Sequence, residues 1–444
     1  MKSRLRKLGA LNLAAAALLA AWAAYWQVVR GPDLAHDPRN PRLLLAEERV
    51  ARGAVLDRRG RPLAVTVWRD GRAQRVYPHG EVFGHPVGYR SLRLGKTGLE
   101  AALDAELLGV GEVTPWRELE RRLTGRRRGL DVLTTLDAQV QAWAWKALGA
   151  SAGAVVVLDV RTGGVLASVS RPGFDPNRLE ETWAQLQRAP GSPLLDRALL
   201  GAYPPGTTFR LVVLAAALSR GVVTLDGPAP CASRPEAHKE VRWRQALSVP
   251  CDRAFEGLVE QVGAATLREV AEAFGLGTPP PVEPAATAGQ LPQPKDLDAA
   301  RLRRLGTGEG VLASPLQLAL VAATLARGGE RPRPHFVAAL RPVGGQDLER
   351  GQVPPPTRIL AVQVARGIQA ALQEATRSPA GTAGGEFSVA GLADGGPGRP
   401  GWFVGFGPRS SPRLAVAVVV EHGDAEAAAR AARMLFLRAL RVVR

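Results

Sequence analysis

Lysine is scarce in this chain. Of 58 basic residues among 444, only Lys2, Lys7, Lys96, Lys146, Lys239 and Lys295 are lysines, so arginine carries almost all of the net charge of +17. A lysine amine can give up its proton and act as a base, whereas a guanidinium stays protonated and has no lone pair to offer. Asparagine is rarer still: Asn12, Asn40 and Asn177 are the full set, and none has a serine two places before it. Two cysteines and six histidines form no group with the spacing of a zinc site, so neither a metal nor another cofactor is expected. The positive charge is spread along the chain without a nucleic-acid-binding signature, which argues against nucleic acid as a partner and leaves anionic surfaces in general. Internal repeats are also absent. What remains is a long chain with 46% hydrophobic residues, enough for two or three domains and a large core.

Charge is missing altogether from Leu8 to Val29, directly after Lys2, Arg4, Arg6 and Lys7. At helical rise that stretch reaches roughly 33 Å, enough to cross a bilayer. Basic residues in front of it predict a cytoplasmic tail over 1–7, a transmembrane helix over 8–29 and the bulk of the chain outside the cytoplasm. Ala21-Trp22-Ala23 offers a competing signal-peptide cleavage pattern. The length of the apolar stretch and its ending in Tyr25, Trp26 and Arg30 favour an uncleaved anchor. Outside the cytoplasm Cys231 and Cys251 can be joined or can remain two buried thiols, and the sequence leaves both open.

Further along, Gly153–Ser170 reads as a β-hairpin, two alternating apolar runs joined by Arg161-Thr162-Gly163-Gly164. Tyr203-Pro204-Pro205-Gly206-Thr207-Thr208-Phe209-Arg210 is a rigid turn followed by the apolar run Leu211–Leu218. It predicts a buried helix, with Thr207 placed to cap it by accepting a free backbone N–H. Trp402–Phe406 and Leu414–Glu421 read as strands, and Asp424–Val443 as an amphipathic helix.

The wording of these segments resembles the class B penicillin-binding proteins, the peptidoglycan D,D-transpeptidases. Arg52-Gly53-Ala54-Val55-Leu56-Asp57-Arg58, Gly98-Leu99-Glu100 and Glu106-Leu107-Leu108-Gly109 are similar to that family's pedestal segments. Gly153–Ala167, Phe174-Asp175-Pro176-Asn177, Pro193–Ala198, the Tyr203 box and Ser314-Pro315-Leu316-Gln317-Leu318-Ala319 are similar to its transpeptidase domain. The resemblance implies an α+β chain: one transmembrane helix, a small pedestal over 30–135, and a transpeptidase-like domain over 136–444 with helices around an antiparallel sheet.

It also implies where chemistry would sit. The family brings together three boxes, Ser-x-x-Lys, Ser-x-Asn and Lys-Thr-Gly. The first box supplies a nucleophile with a base one helical turn on. Here Thr207 and Arg210 stand in the first, Pro250 and Asp252 in the second, and Leu392, Ala393 and Asp394 in the third. No Ser-x-x-Lys occurs elsewhere. Lys96-Thr97-Gly98 precedes Thr207, the wrong order for the third box, and Arg90 five residues before Gly95 rules out a phosphate loop. An anion at Asp394 would repel a substrate carboxylate at about 4 Å by roughly 1 kcal/mol in water and more in a cleft.

The expectation is therefore a membrane-anchored pseudoenzyme of peptidoglycan synthesis with no confident catalytic residue. The resemblance implies as partners the membrane, a polytopic peptidoglycan glycosyltransferase and peptidoglycan itself. Two other readings stand beside it: an active D,D-transpeptidase with Thr207 as nucleophile, and a ligand-binding module whose cleft has an acidic floor of Asp252 and Asp394 suited to a cation or amine.

Overall fold

The computed structural model describes residues 2–26, 50–69, 72–109, 129–231, 241–342, 348–349, 354–377, 389–396 and 398–443. The apolar N-terminal stretch is a helix, α1 (Lys2–Ala24), whose Leu13, Leu18, Leu19 and Trp22 are exposed. Among the described residues no helix is long and apolar enough to cross a membrane. The last three residues of the expected span, 27–29, lie outside the described residues.

Seven strands follow up to the first hairpin of the large domain: β1 (Val55–Leu56), β2 (Pro62–Arg69), β3 (Arg72–Val76), β4 (Arg90–Ser91), β5 (Gly95–Lys96), β6 (Asp131–Thr134) and β7 (Gly153–Asp159). After them come β8 (Val165–Arg171), β9 (Glu330–Arg331), β10 (Val337–Arg341), β11 (Leu348–Glu349), β12 (Thr357–Arg358), β13 (Ala390–Gly396), β14 (Arg399–Gly407) and β15 (Leu414–Val420). The pedestal sheet runs β11-β10-β6-β1-β2-β3. Two of its strands, β10 and β11, therefore come from the far side of the large domain's chain. One buried carboxylate ties its family-like segments together. Glu100 accepts from Arg52 Nε and Arg75 Nε, each at 2.6 Å, and Asp104 bridges Arg52 and Lys96. Burial alone would raise the Glu100 carboxyl, but Arg75 and Arg52 overcome it and hold the group below its ordinary range.

The large domain is built on the antiparallel sheet β13-β14-β15-β7-β8. The expected hairpin is β7–β8, and both expected later strands are present. Because side chains alternate along a strand, Val155, Val157, Val416 and Val418 face one layer while Ala154, Val156, Ala417 and Val419 face the other. On the first face lie α2 (Ala138–Leu148) and the C-terminal helix Ala425–Val442, whose Ala428, Ala432, Leu435, Phe436 and Ala439 form its apolar stripe.

Beyond the other face lie α3 (Arg210–Ser219), α4 (Asp252–Val262), α5 (Ala264–Phe274), α6 (Pro315–Ala326) and α7 (Val362–Arg377), of which α6 packs on the sheet and α7 along β13, while α3, α4 and α5 form a further layer of the same core. All twelve residues of α6 are buried, which is why its sequence is apolar on every side. The C-terminal helix, α8 (Ala425–Val442), starts at Asp424, which accepts from Ala427 N–H at 2.7 Å. Cys231 and Cys251 are joined by a disulfide.

Candidate active site

The turn that leads into α3 is held on three sides. Tyr203 exchanges two backbone hydrogen bonds with Ala313, Trp402 Nε1 donates to Pro204 O at 2.8 Å, and Gly308 packs against the Gly206 backbone. Gly206 has φ +56°, and a Cβ there would stand 1.9 Å from Asp394 Oδ2, so both conformation and space demand glycine. The chain then makes a 3₁₀ turn over Gly206–Phe209 before α3 begins.

Thr207 does not cap this helix. No side chain of the turn itself caps it, and the Thr208 hydroxyl donates back to Pro205 O at 2.6 Å. The Thr207 backbone N–H instead donates to Asp394 Oδ2 at 2.9 Å, reaching across to the edge strand β13. In β13, Ala393 pairs with Phe403 and Asp394 with Trp402, so the same pair of strands aims both the carboxylate and the indole at the turn.

Arg210 is 3% exposed. Its Nη2 is ion-paired to Asp252 Oδ1, its guanidinium carbon lies 4.8 Å from the centre of the Phe255 ring, and its Nε has no hydrogen-bond partner. Burial lowers the guanidinium's affinity for its proton while Asp252 and Asp394 oppose that change. The net direction is downward from a value so high that the group stays charged. Among the described residues no basic nitrogen hydrogen-bonds the Thr207 hydroxyl.

The second box is reached through the disulfide. Cys251 is buried at the start of α4 and linked to Cys231, Pro250 beside it is exposed, and Asp252 opens the helix. In the third, Leu392 is buried and Ala393 half-buried. The structure thus brings Thr207, Arg210, Asp252 and Asp394 into one cluster, while Leu392 packs into the core on the α6 side of the sheet and Ala393 against its opposite face. An open acidic floor is not what results, because Asp252 faces the Arg210 cation and Asp394 faces the Thr207 N–H.

One part of the cluster was not read from the sequence. The Tyr203 hydroxyl donates to Glu421 Oε1 at 2.8 Å, and Arg197 Nε donates to the same oxygen at 2.8 Å. Tyr203 also meets Trp402 edge to face with 6.1 Å between ring centres. Burial, with Glu421 beside it, pushes the Tyr203 phenol upward, so it remains a donor. Glu421 only ended a predicted strand, and nothing local marked its partners.

The penicillin-binding protein transpeptidase domain matches residues 153–440, and the penicillin-binding protein A dimerisation domain matches residues 52–132. The chain is 36% identical to the peptidoglycan D,D-transpeptidase PbpA of Mycolicibacterium smegmatis over 95% of its own length and 94% of that protein's. Among solved structures it is similar to penicillin-binding protein A of M. tuberculosis as an imipenem acyl-enzyme complex. The TM-score is 0.80 at 32% identity, covering 89% of this chain and 100% of that one. It is also similar to the D,D-transpeptidase domain of a peptidoglycan glycosyltransferase from Eggerthella lenta, with TM-score 0.79 at 27% identity, 89% of this chain and 99% of that one being covered.

Proposed function

Since the chain belongs to the penicillin-binding protein transpeptidase family, and so to the proteins of cell-wall peptidoglycan synthesis, we propose that it serves there as a scaffold or regulator that forms no acyl-enzyme. The observation that carries this reading is the buried Arg210 guanidinium and its ion pair with Asp252. To attack a carbonyl, a hydroxyl must hand its proton to a base within hydrogen-bond reach. The cation one turn from Thr207 has no lone pair, and its charge is balanced by a carboxylate rather than turned to the hydroxyl.

On this reading the cleft is a folded remnant, and the chain acts through its other surfaces. The apolar stretch over 8–29, of which α1 holds the greater part, attaches it to the membrane, in a single pass with the tail inside and the bulk outside. The pedestal and α1 hold a peptidoglycan glycosyltransferase in reach. The Eggerthella lenta relative, in which a D,D-transpeptidase domain is part of a peptidoglycan glycosyltransferase, supports that choice of partner.

Fluorescent penicillin tests the reading directly. Purified protein is expected to give no covalent band, and Thr207→Ser with Arg210→Lys is expected not to restore one, because Pro250, Asp252 and the third box remain altered. A band that disappears in Thr207→Ala would overturn the proposal and make Thr207 a nucleophile.

A further inference from the structure

On the face of the central sheet turned away from α3, the layer made by α2 and α8 is not closed. A groove of about 550 Å³ runs between the end of α2 and the outer side of α8, down to the end of β15. Its floor is apolar, and Leu148, Val420 and Ala431 there are each 4% exposed. Ala147 and Ala427 leave room that longer side chains would fill. Met434, half-buried, adds an unbranched group that adapts its shape to what it meets.

The rim is basic. Arg430, Arg433 and Arg438 line the groove, all three exposed, and no acidic side chain does. Arg430 donates to Glu426 at 2.9 Å, one turn back on the same helix. Arg433 and Arg438 have neither a hydrogen bond nor an ion pair among the described residues. Cations raised around an apolar floor define the surface that fits them, which is apolar in the middle and acidic along its edges.

The geometry separates the partners that carry such a pattern. A second copy of this chain is a poor match, because a two-fold contact would bring the same arginines face to face. A bilayer takes up apolar side chains that protrude, whereas these are recessed below the guanidiniums. A fatty acid offers one anion to cations spread along α8, where Arg430 and Arg438 are about 12 Å apart along the axis. A helix laid in the groove meets both demands: apolar residues three and four apart fill the floor, and acids beside them reach the rim at successive turns.

We infer that this groove is a docking site for an amphipathic helix of another protein, one whose apolar stripe is flanked by aspartate or glutamate. The groove and the helix that carries Arg210 are on opposite faces of the sheet, so the inference goes beyond the non-acylating reading and stands whether or not Thr207 reacts.

The test uses the full chain in nanodiscs of neutral phosphatidylcholine. The probe is a synthetic peptide of about 15 residues, long enough to hold a helix, with leucines at three- and four-residue spacing, glutamates beside them and alanine elsewhere. A second peptide carries lysine at every glutamate. Fluorescence anisotropy reads binding. Met1 and Met434 are the only methionines, so a methyl-labelled methionine spectrum, assigned with Met434→Leu, reads where binding occurs. The glutamate peptide is expected to bind saturably, to shift the Met434 signal and to weaken as salt is raised, and the lysine peptide to do none of these. Arg433→Glu with Arg438→Glu alters only exposed side chains. It is expected to bind the glutamate peptide about tenfold or more weakly and to gain the lysine peptide. Ala427→Trp, which fills the groove and leaves its charges in place, is expected to lose the glutamate peptide as well.

No binding of the glutamate peptide, equal binding of both peptides, or binding that leaves the Met434 signal in place would overturn the inference. So would a Met434 shift produced by sodium laurate or by added phosphatidylglycerol vesicles but not by the peptide, which would give the groove to a lipid.

Discussion

Arg210 carries a full charge in a place that is nearly dry, a state that costs several kcal/mol unless a carboxylate stands beside it. Asp252 is that carboxylate, yet its own side chain is 62% exposed, so water screens part of the attraction. Removing the acid should therefore cost less than breaking a fully buried pair. Asp252→Ala is expected to lower the free energy of unfolding by about 2 kcal/mol, and Asp252→Asn by less because an amide oxygen still accepts. Arg210→Met, which removes the charge along with its burial penalty, is expected to be close to neutral. Urea denaturation with unchanged slope is the measurement. A neutral Asp252→Ala would mean that solvent, not Asp252, compensates the guanidinium. The residue types at these positions were legible in the sequence, as was their unsuitability for base catalysis. Their partners were not, because Arg210 and Asp252 are far apart in the chain and Thr207 and Asp394 further still.

The start of α6 shows how an element's sequence tells half of its story. Ser314-Pro315-Leu316-Gln317 is a capping box: Ser314 Oγ accepts from Gln317 N–H at 3.2 Å, and Gln317 Oε1 accepts from Ser314 N–H at 2.9 Å. The spacing alone permits that much. What it does not reveal is that the other end of the same amide, Nε2, donates to Gly275 O and Ala288 O, each at 2.9 Å, pinning the end of α5 and the loop beyond it to a buried helix. Gln317→Leu keeps the volume and the helix propensity but leaves the Ser314 N–H and two carbonyls without that partner. It is expected to destabilise by about 2–4 kcal/mol, far more than loss of a surface cap. Gln317→Glu is expected to be no better, because it retains the box acceptor while losing both donors and placing a charge in the core. Equilibrium unfolding of the two variants checks this, and a loss comparable to a solvent-exposed cap would show that water reaches the site.

At the scale of the whole molecule, the hairpin β7–β8, the strands β14 and β15 and the helix α8 were legible because alternation, turn residues and an apolar stripe are local signals. Sharing of the pedestal sheet between both parts of the chain was not, since β10 meets β6 only through contacts some two hundred residues apart in sequence. The same long-range joining places pedestal side chains inside the large domain's territory. Asn177 bonds both backbone groups of Tyr77, Ser91 donates to Glu180, and the buried His85 ring lies 3.0 Å from Pro193 O through Nε2. Burial lowers the His85 proton affinity; Asp196 and the Pro193 carbonyl pull it up and Arg197 pulls it down, with a net downward direction. A histidine held neutral in the fold and free to charge when unfolded makes the unfolded chain bind more protons below its ordinary value. Stability from this group is therefore full above about pH 6.5 and is lost as pH falls from there toward the lowered folded value. His79 and His335 are lowered in the same direction by partial burial, so the wild-type slope has more than one source. The difference made by His85→Gln, which retains a donor for Pro193 but cannot titrate, isolates the junction. The variant is expected to lose less stability than wild type between about pH 7.5 and about pH 5.5, read as urea midpoints at the two values. The buried Glu100 network titrates in a different window, below about pH 4.5, and so does not confuse the comparison. Identical slopes for wild type and His85→Gln would place the proton uptake elsewhere and remove His85 from the account of how the two parts are held together.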